Sequence, residues 1–102
     1  MGVWFITTIE TIEKTDLGFP LFGDVRTWGF YFDKELATRA LHNNLADMRE
    51  FLYDYAVIEE YYDGIIQSSG ERQWFQWNEN KKGFFEIDEP NEVKNLANFA
   101  LS

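Results

Sequence analysis

The stretch YDYAVIEEYYDGI, residues 53–65, reads as an aromatic β-strand with carboxylates set into it. Successive strand side chains point to opposite faces, so Val57 and Ile58 anchor the two sides of the strand. Glu59 and Glu60 then mark the point where the strand leaves the core, with their charges in water. Tyr55, Tyr61 and Tyr62 bury their rings and keep their hydroxyls wet. Asp63 and Gly64 turn the chain. The stretch is therefore expected to be a strand ending at the rim of a sheet.

Working outward, residues 3–13, VWFITTIETIE, are β-branched and aromatic and predict another strand, apolar on both faces. A loop follows, KTDLGFPLFGD, and then a strand over 25–32, VRTWGFYF, with Trp28, Phe30 and Phe32 on one side. These two strands fit an antiparallel pair joined by a long loop. Asp33 is an N-cap for a short helix over KELATRALHNN, with Glu35 in its first turn and Leu36, Ala37, Ala40 and Leu41 forming the apolar stripe. A second helix is expected across LADMREFLYD, with Leu45, Met48, Phe51 and Leu52 on one face.

Beyond the opening stretch, RQWFQWN and GFFEID predict a hairpin joined by ENKKG. Pro90 ends the last strand, and Asn91 caps a closing helix, EVKNLANFAL. The order is ββααβββα over residues 1–102: one α+β domain, a mostly antiparallel five-stranded sheet with helices packed on one face.

The chain has 102 residues, enough for one core without covalent staples, and 19% of them are aromatic, so large rings supply much of that core. There is no cysteine, which removes disulfides and thiolate chemistry from consideration. The N-terminal run is interrupted by Thr and Glu, and no run approaches the roughly 18 apolar residues of a membrane span. A cytoplasmic protein is the expectation. Eighteen acids against nine bases give a net charge of −9. Binding to nucleic acid phosphates needs Lys and Arg, so neither nucleic acid nor an anionic membrane is an expected partner. A basic protein is.

Nucleophilic catalysis lacks its parts: one histidine, no cysteine, no G-x-S-x-G elbow. His42 is expected as a surface or half-buried helix residue. The seven glycines form no phosphate cradle. In EIDEPNE, the residues Glu86, Asp88, Glu89 and Glu92 crowd together, but their spacing does not match an EF-hand loop, and no metal or cofactor is expected. Trp74 and Trp77 are three apart and cannot share a face of a regular strand. One exposed ring would suit an interface.

The span WGFYFDKELATRALHNNLADMREFLYDYAVIEEYYDGI, residues 28–65, together with the tail GFFEIDEPNEVKNLANFA, resembles small acidic uncharacterised proteins of bacterial and mobile-element genomes. In size and charge the chain also resembles the anti-CRISPR class of small inhibitors. That resemblance implies a non-enzymatic inhibitor or regulator that occupies the basic nucleic-acid-binding surface of a partner such as a CRISPR nuclease. The expected contact residues are Glu59, Glu60, Tyr61, Tyr62, Asp63, Glu86, Asp88, Glu89 and Glu92, forming one carboxylate-rich, tyrosine-lined ridge. Two other readings stand beside it: a housekeeping interaction domain or homodimer using its aromatic surface, and a small enzyme working through paired carboxylates.

Overall fold

A computed structural model describes residues 2–14, 16–17, 20–50, 52–62 and 71–93. Among these residues, seven strands and one α-helix run in the order β1 (Gly2–Ile9), β2 (Ile12–Lys14), β3 (Pro20–Phe22), β4 (Val25–Tyr31), α1 (Lys34–His42), β5 (Tyr55–Tyr62), β6 (Arg72–Asn78) and β7 (Gly83–Ile87). Five of them form a sheet in the order β4-β1-β5-β6-β7, antiparallel throughout. The fold class is α+β. The strand quoted at the outset, β5, stands at the sheet's centre.

The two faces of that sheet are covered differently. On one, α1 lays Ala37, Ala40 and Leu41 against Trp4, Ile6, Ala56, Ile58, Phe75 and Phe84. On the other, Ile9, Val57, Trp74 and Val93 form a smaller core, against which Ile12 of β2 and Phe22 of β3 pack. This explains the two-sided apolar pattern of β1. The segment expected as one strand over residues 3–13 breaks after Ile9, and its second half becomes β2, paired with β3 as a ribbon inside the expected loop. Among the described residues, one helix covers one face and the β2–β3 ribbon packs on the other. The expected closing helix lies outside the described residues, apart from Glu92 and Val93 in a 3₁₀ turn over Asn91–Val93. No helix among the described residues is long and apolar enough to cross a membrane.

The second helix expected over residues 45–54 is not formed. Leu45–Asp47 is a single 3₁₀ turn, and Asn44, Ala46, Asp47 and Glu50 all have positive φ, which a helix excludes. Local polar bonds compete with the helix here. The Asn44 side-chain amide donates to Asp47 at 3.0 Å, and its oxygen accepts from the Arg49 N–H at 3.0 Å. Of the expected apolar stripe, Met48 is buried, whereas Leu45 and Leu52 remain 54% and 40% exposed. Phe51 lies outside the described residues.

A bulge shapes the edge strand. The register of β1 with β4 slips between Ile6 and Thr7, leaving Trp28 without a counterpart. Trp28 therefore turns to the helix side, where its indole N–H donates to Thr8 Oγ1 at 2.8 Å. Phe30 stays on the opposite side, 5.5 Å from Phe5 between ring centroids. The expectation that Trp28, Phe30 and Phe32 share one side is corrected by that inserted residue.

Candidate partner-binding surface

The acids expected to form one ridge are divided between the two faces of the sheet. Glu60 lies opposite Trp4 on the helix side. Glu59 lies on the other side, opposite Phe5 on β1 and Arg72 on β6. Glu59 is only 5% exposed, and the Tyr61 hydroxyl donates to it at 3.4 Å. The expected strand end is thus corrected: β1 continues alongside β5 as far as the Gly2–Tyr62 pair, so Glu59 sits inside the sheet and not at its rim. Tyr61 is buried as well. Asp63 lies outside the described residues, as do the side chains of Tyr62 and Glu92.

The second acidic group is largely engaged within the fold. Arg72 donates through Nε to Glu89 and through a terminal nitrogen to the Val93 carbonyl at 3.0 Å. Trp74 Nε1 also donates to Glu89, at 3.1 Å. Arg72 therefore stands between Glu59 and Glu89, and a cation separates the two groups that were expected to form one negative ridge. On the helix side, His42 Nε2 and Glu86 Oε1 are 2.6 Å apart. Burial acts to raise the Glu86 pKa, but the hydrogen bond from His42 and a backbone bond outweigh it and hold the carboxyl below its usual range. His42 stacks on Phe85 at 4.5 Å and is half-buried, as its sequence context implies. Asp88 is exposed.

The charges follow a simple rule. Of the nine Lys and Arg, Arg26, Lys34, Arg39, Arg49, Arg72 and Lys82 are each held by a carboxylate of the same chain. Arg49 also lies over the Trp77 ring, 4.6 Å from its centroid. Lys81 lies over Phe85. Most cations of the described residues are thus balanced by a carboxylate of the same chain, and the excess of carboxylates sets the sign of what an approaching molecule meets. Glu13, Asp16, Asp33, Asp47, Glu71 and Asp88 are all exposed. Among the described residues, no group of three or more His, Asp or Glu is placed to hold a metal ion.

Aromatic rings supply the second exposed feature. Phe5 contacts Phe30 and Tyr61, and Phe30 contacts Phe32, in tilted or edge-on pairs at 5.4–5.6 Å. Phe30 and Phe32 are 50% and 68% exposed. Trp74 is buried on one face and Trp77 half-buried on the other, consistent with their spacing of three. Sequence reasoning missed Arg72 as the divider of the acids. Its single signal was a lone base opening a strand in an acidic chain. No protein-family model, curated protein or solved structure matches this chain.

Proposed function

We propose that this is a non-enzymatic acidic binding protein, an inhibitor or regulator that occupies a basic, nucleic-acid-binding surface of a partner such as a CRISPR nuclease. The observation that supports this reading is the pairing of most cations of the described residues with carboxylates of the same chain. In a chain of charge −9, Arg26, Lys34, Arg39, Arg49, Arg72 and Lys82 are each balanced by a carboxylate, so a basic channel meets an excess of acids. Such a surface steers association with a basic partner and repels nucleic acid itself.

The burial of Glu59 narrows the contact set. Glu60 and Asp88 remain accessible enough to face a partner, whereas Glu59 belongs to the interior of the sheet. The test is inhibition of target cleavage by a guide-loaded CRISPR nuclease, with binding measured at low and at physiological salt. Wild-type protein is expected to inhibit and to bind more weakly as salt rises. The pair Glu60→Lys with Asp88→Lys is expected to weaken binding at least tenfold, and Glu13→Lys with Asp16→Lys much less. Equal binding by both variants, or affinity indifferent to salt, would count against the acidic surface. The aromatic cluster Phe5–Phe30–Phe32 supports the second reading, an interaction module whose contacts are apolar and salt-insensitive.

A further inference from the structure

The apolar stripe of α1 narrows at Ala40. Ala37 and Leu41 pack into the core, but the Ala40 side chain ends at Cβ and leaves space between the helix and Ile6 of β1. The bulge in β4 supplies one wall of that space, because it turns Trp28 to the helix side. The turn after the helix supplies another. The result is a cleft of ≈ 180 Å³ lined by Ile6, Trp28, Ala40, Leu45, Ala46 and Met48. Ile6, Ala40 and Met48 are buried, whereas Leu45 and Ala46 are exposed, so the cleft opens to solvent along the turn.

These walls are fixed in place. Trp28 donates its indole N–H to Thr8 Oγ1 at 2.8 Å, and the Arg26 guanidinium lies 3.8 Å over its ring. In the turn, Asn44 and Ala46 hold left-handed backbone, with φ of 46° and 58°. The Asn44 side chain keeps the turn in that form through its bonds to Asp47 and to the Arg49 N–H. Alanine is strained there, and strained backbone collects at sites that hold ligands. Protein interiors seldom leave apolar space of this size unfilled, and the braced turn prevents the collapse that would close it.

The lining selects the ligand. Among the described residues that line the cleft, none is charged, and the Trp28 N–H is already given to Thr8. An ionised group would lose its water here without gaining a partner. The rings of Trp28 and Tyr31 and the thioether of Met48 favour a flat ring over an aliphatic one, because aromatic edges and polarisable sulfur both attract it. A cavity of roughly 150 Å³ is enough to take up benzene. We propose that this cleft binds a small uncharged molecule built on a single aromatic ring. The inference is independent of the inhibitor reading and stands or falls without it.

The experiment titrates toluene into the full chain and follows it by NMR, with cyclohexane and benzoate as comparison probes. Toluene is expected to bind saturably, with a Kd of about 1 mM or tighter. It should shift the methyls of Ile6, Ala40, Leu45, Ala46 and Met48 together with the Trp28 indole N–H. Benzoate should bind at least about tenfold more weakly, through the lost hydration of its carboxylate. Cyclohexane should bind about threefold more weakly, for want of the ring contacts. Ala40→Leu should fill the cleft and abolish the shifts. Because Ala40 is buried, Leu45→Ser at an exposed position decides the matter if Ala40→Leu does not fold. Leu45→Ser should weaken toluene binding about tenfold and leave the melting temperature unchanged. Leu36→Ser, at an exposed position of α1 outside the cleft, should bind toluene as wild type does. Shifts that do not saturate, shifts centred on Phe5 and Phe32, or toluene binding untouched by Leu45→Ser would overturn the proposal. Benzoate or cyclohexane binding as tightly as toluene would overturn the assigned ligand class.

Discussion

Gly83 shows how one methyl group decides whether helix and sheet fit. A Cβ built there would lie 1.9 Å from the backbone oxygen of His42, at the end of α1. Backbone cannot swing aside as a side-chain tip can, so Gly83→Ala is expected to cost about 3 kcal/mol, the upper end for an overpacked site. Urea denaturation measures it, and a cost below about 1 kcal/mol would mean that α1 does not approach β7 this closely. Tyr53 offers a titration at the same scale. Its hydroxyl donates to Asp24 at 2.5 Å, and that bond, with burial and the Asp24 charge, pushes its pKa from 10.0 up to about 12. The folded state then holds a proton that the unfolded state releases first. The contribution to stability is whole below pH 10 and is lost as pH rises through 12. Absorbance at 295 nm should show a late-titrating tyrosine that Tyr53→Phe removes. A titration unchanged by that substitution would sink the assignment.

At the scale of elements, α1 depends on both of its ends. Asp33 has extended backbone and accepts from the Glu35 N–H at 2.7 Å, satisfying a donor that the first turn leaves open. Asp33→Ala is expected to destabilise the protein by about 1 kcal/mol, read from the denaturation midpoint. Asp33→Asn, which keeps the acceptor, should recover most of that loss. At the other end, the Asn43 N–H donates to the Arg39 carbonyl at 3.0 Å, and Asn44 turns the chain with φ of 46°. A helix stopped so sharply cannot be followed by a second one in line. The run of positive φ after it carries the chain across to β5 instead.

For the molecule as a whole, the net charge of −9 has a structural counterpart in the way its cations are spent. The reversal variants separate the two uses of an acid. Asp88→Lys, at an exposed position, should change stability by about 0.5 kcal/mol or less, as surface substitutions do, while weakening partner binding. Glu59→Lys should instead lower the melting temperature, because it places a second cation opposite Arg72 within the sheet. Thermal melting of the variants side by side checks the division. A Glu59→Lys protein as stable as wild type would return that residue to the list of surface acids.

Local chemistry is written into adjacent residues, and there the sequence alone was sufficient. Asp33 before an apolar stripe specified a capped helix, and ENKKG between two aromatic runs specified the hairpin of β6 and β7. The β-branched, two-sided pattern of residues 3–13 specified a strand covered on both faces, though not its break after Ile9. The net charge and the lack of cysteine likewise needed no fold. Three things were decided only by tertiary structure, because each depends on residues far apart in the chain. The exposure of Glu59 was settled by β1 running past it and by Arg72 lying opposite, 13 residues further on. The segment at 45–50 has the periodicity of a helix, yet its chain must return to the centre of the sheet, and bonds around Asn44 win over propensity. The separation of the acids into two groups followed from strand order, which places β6 between β5 and β7. No local pattern encodes which strands will be neighbours, since pairing is chosen by the burial of whole faces.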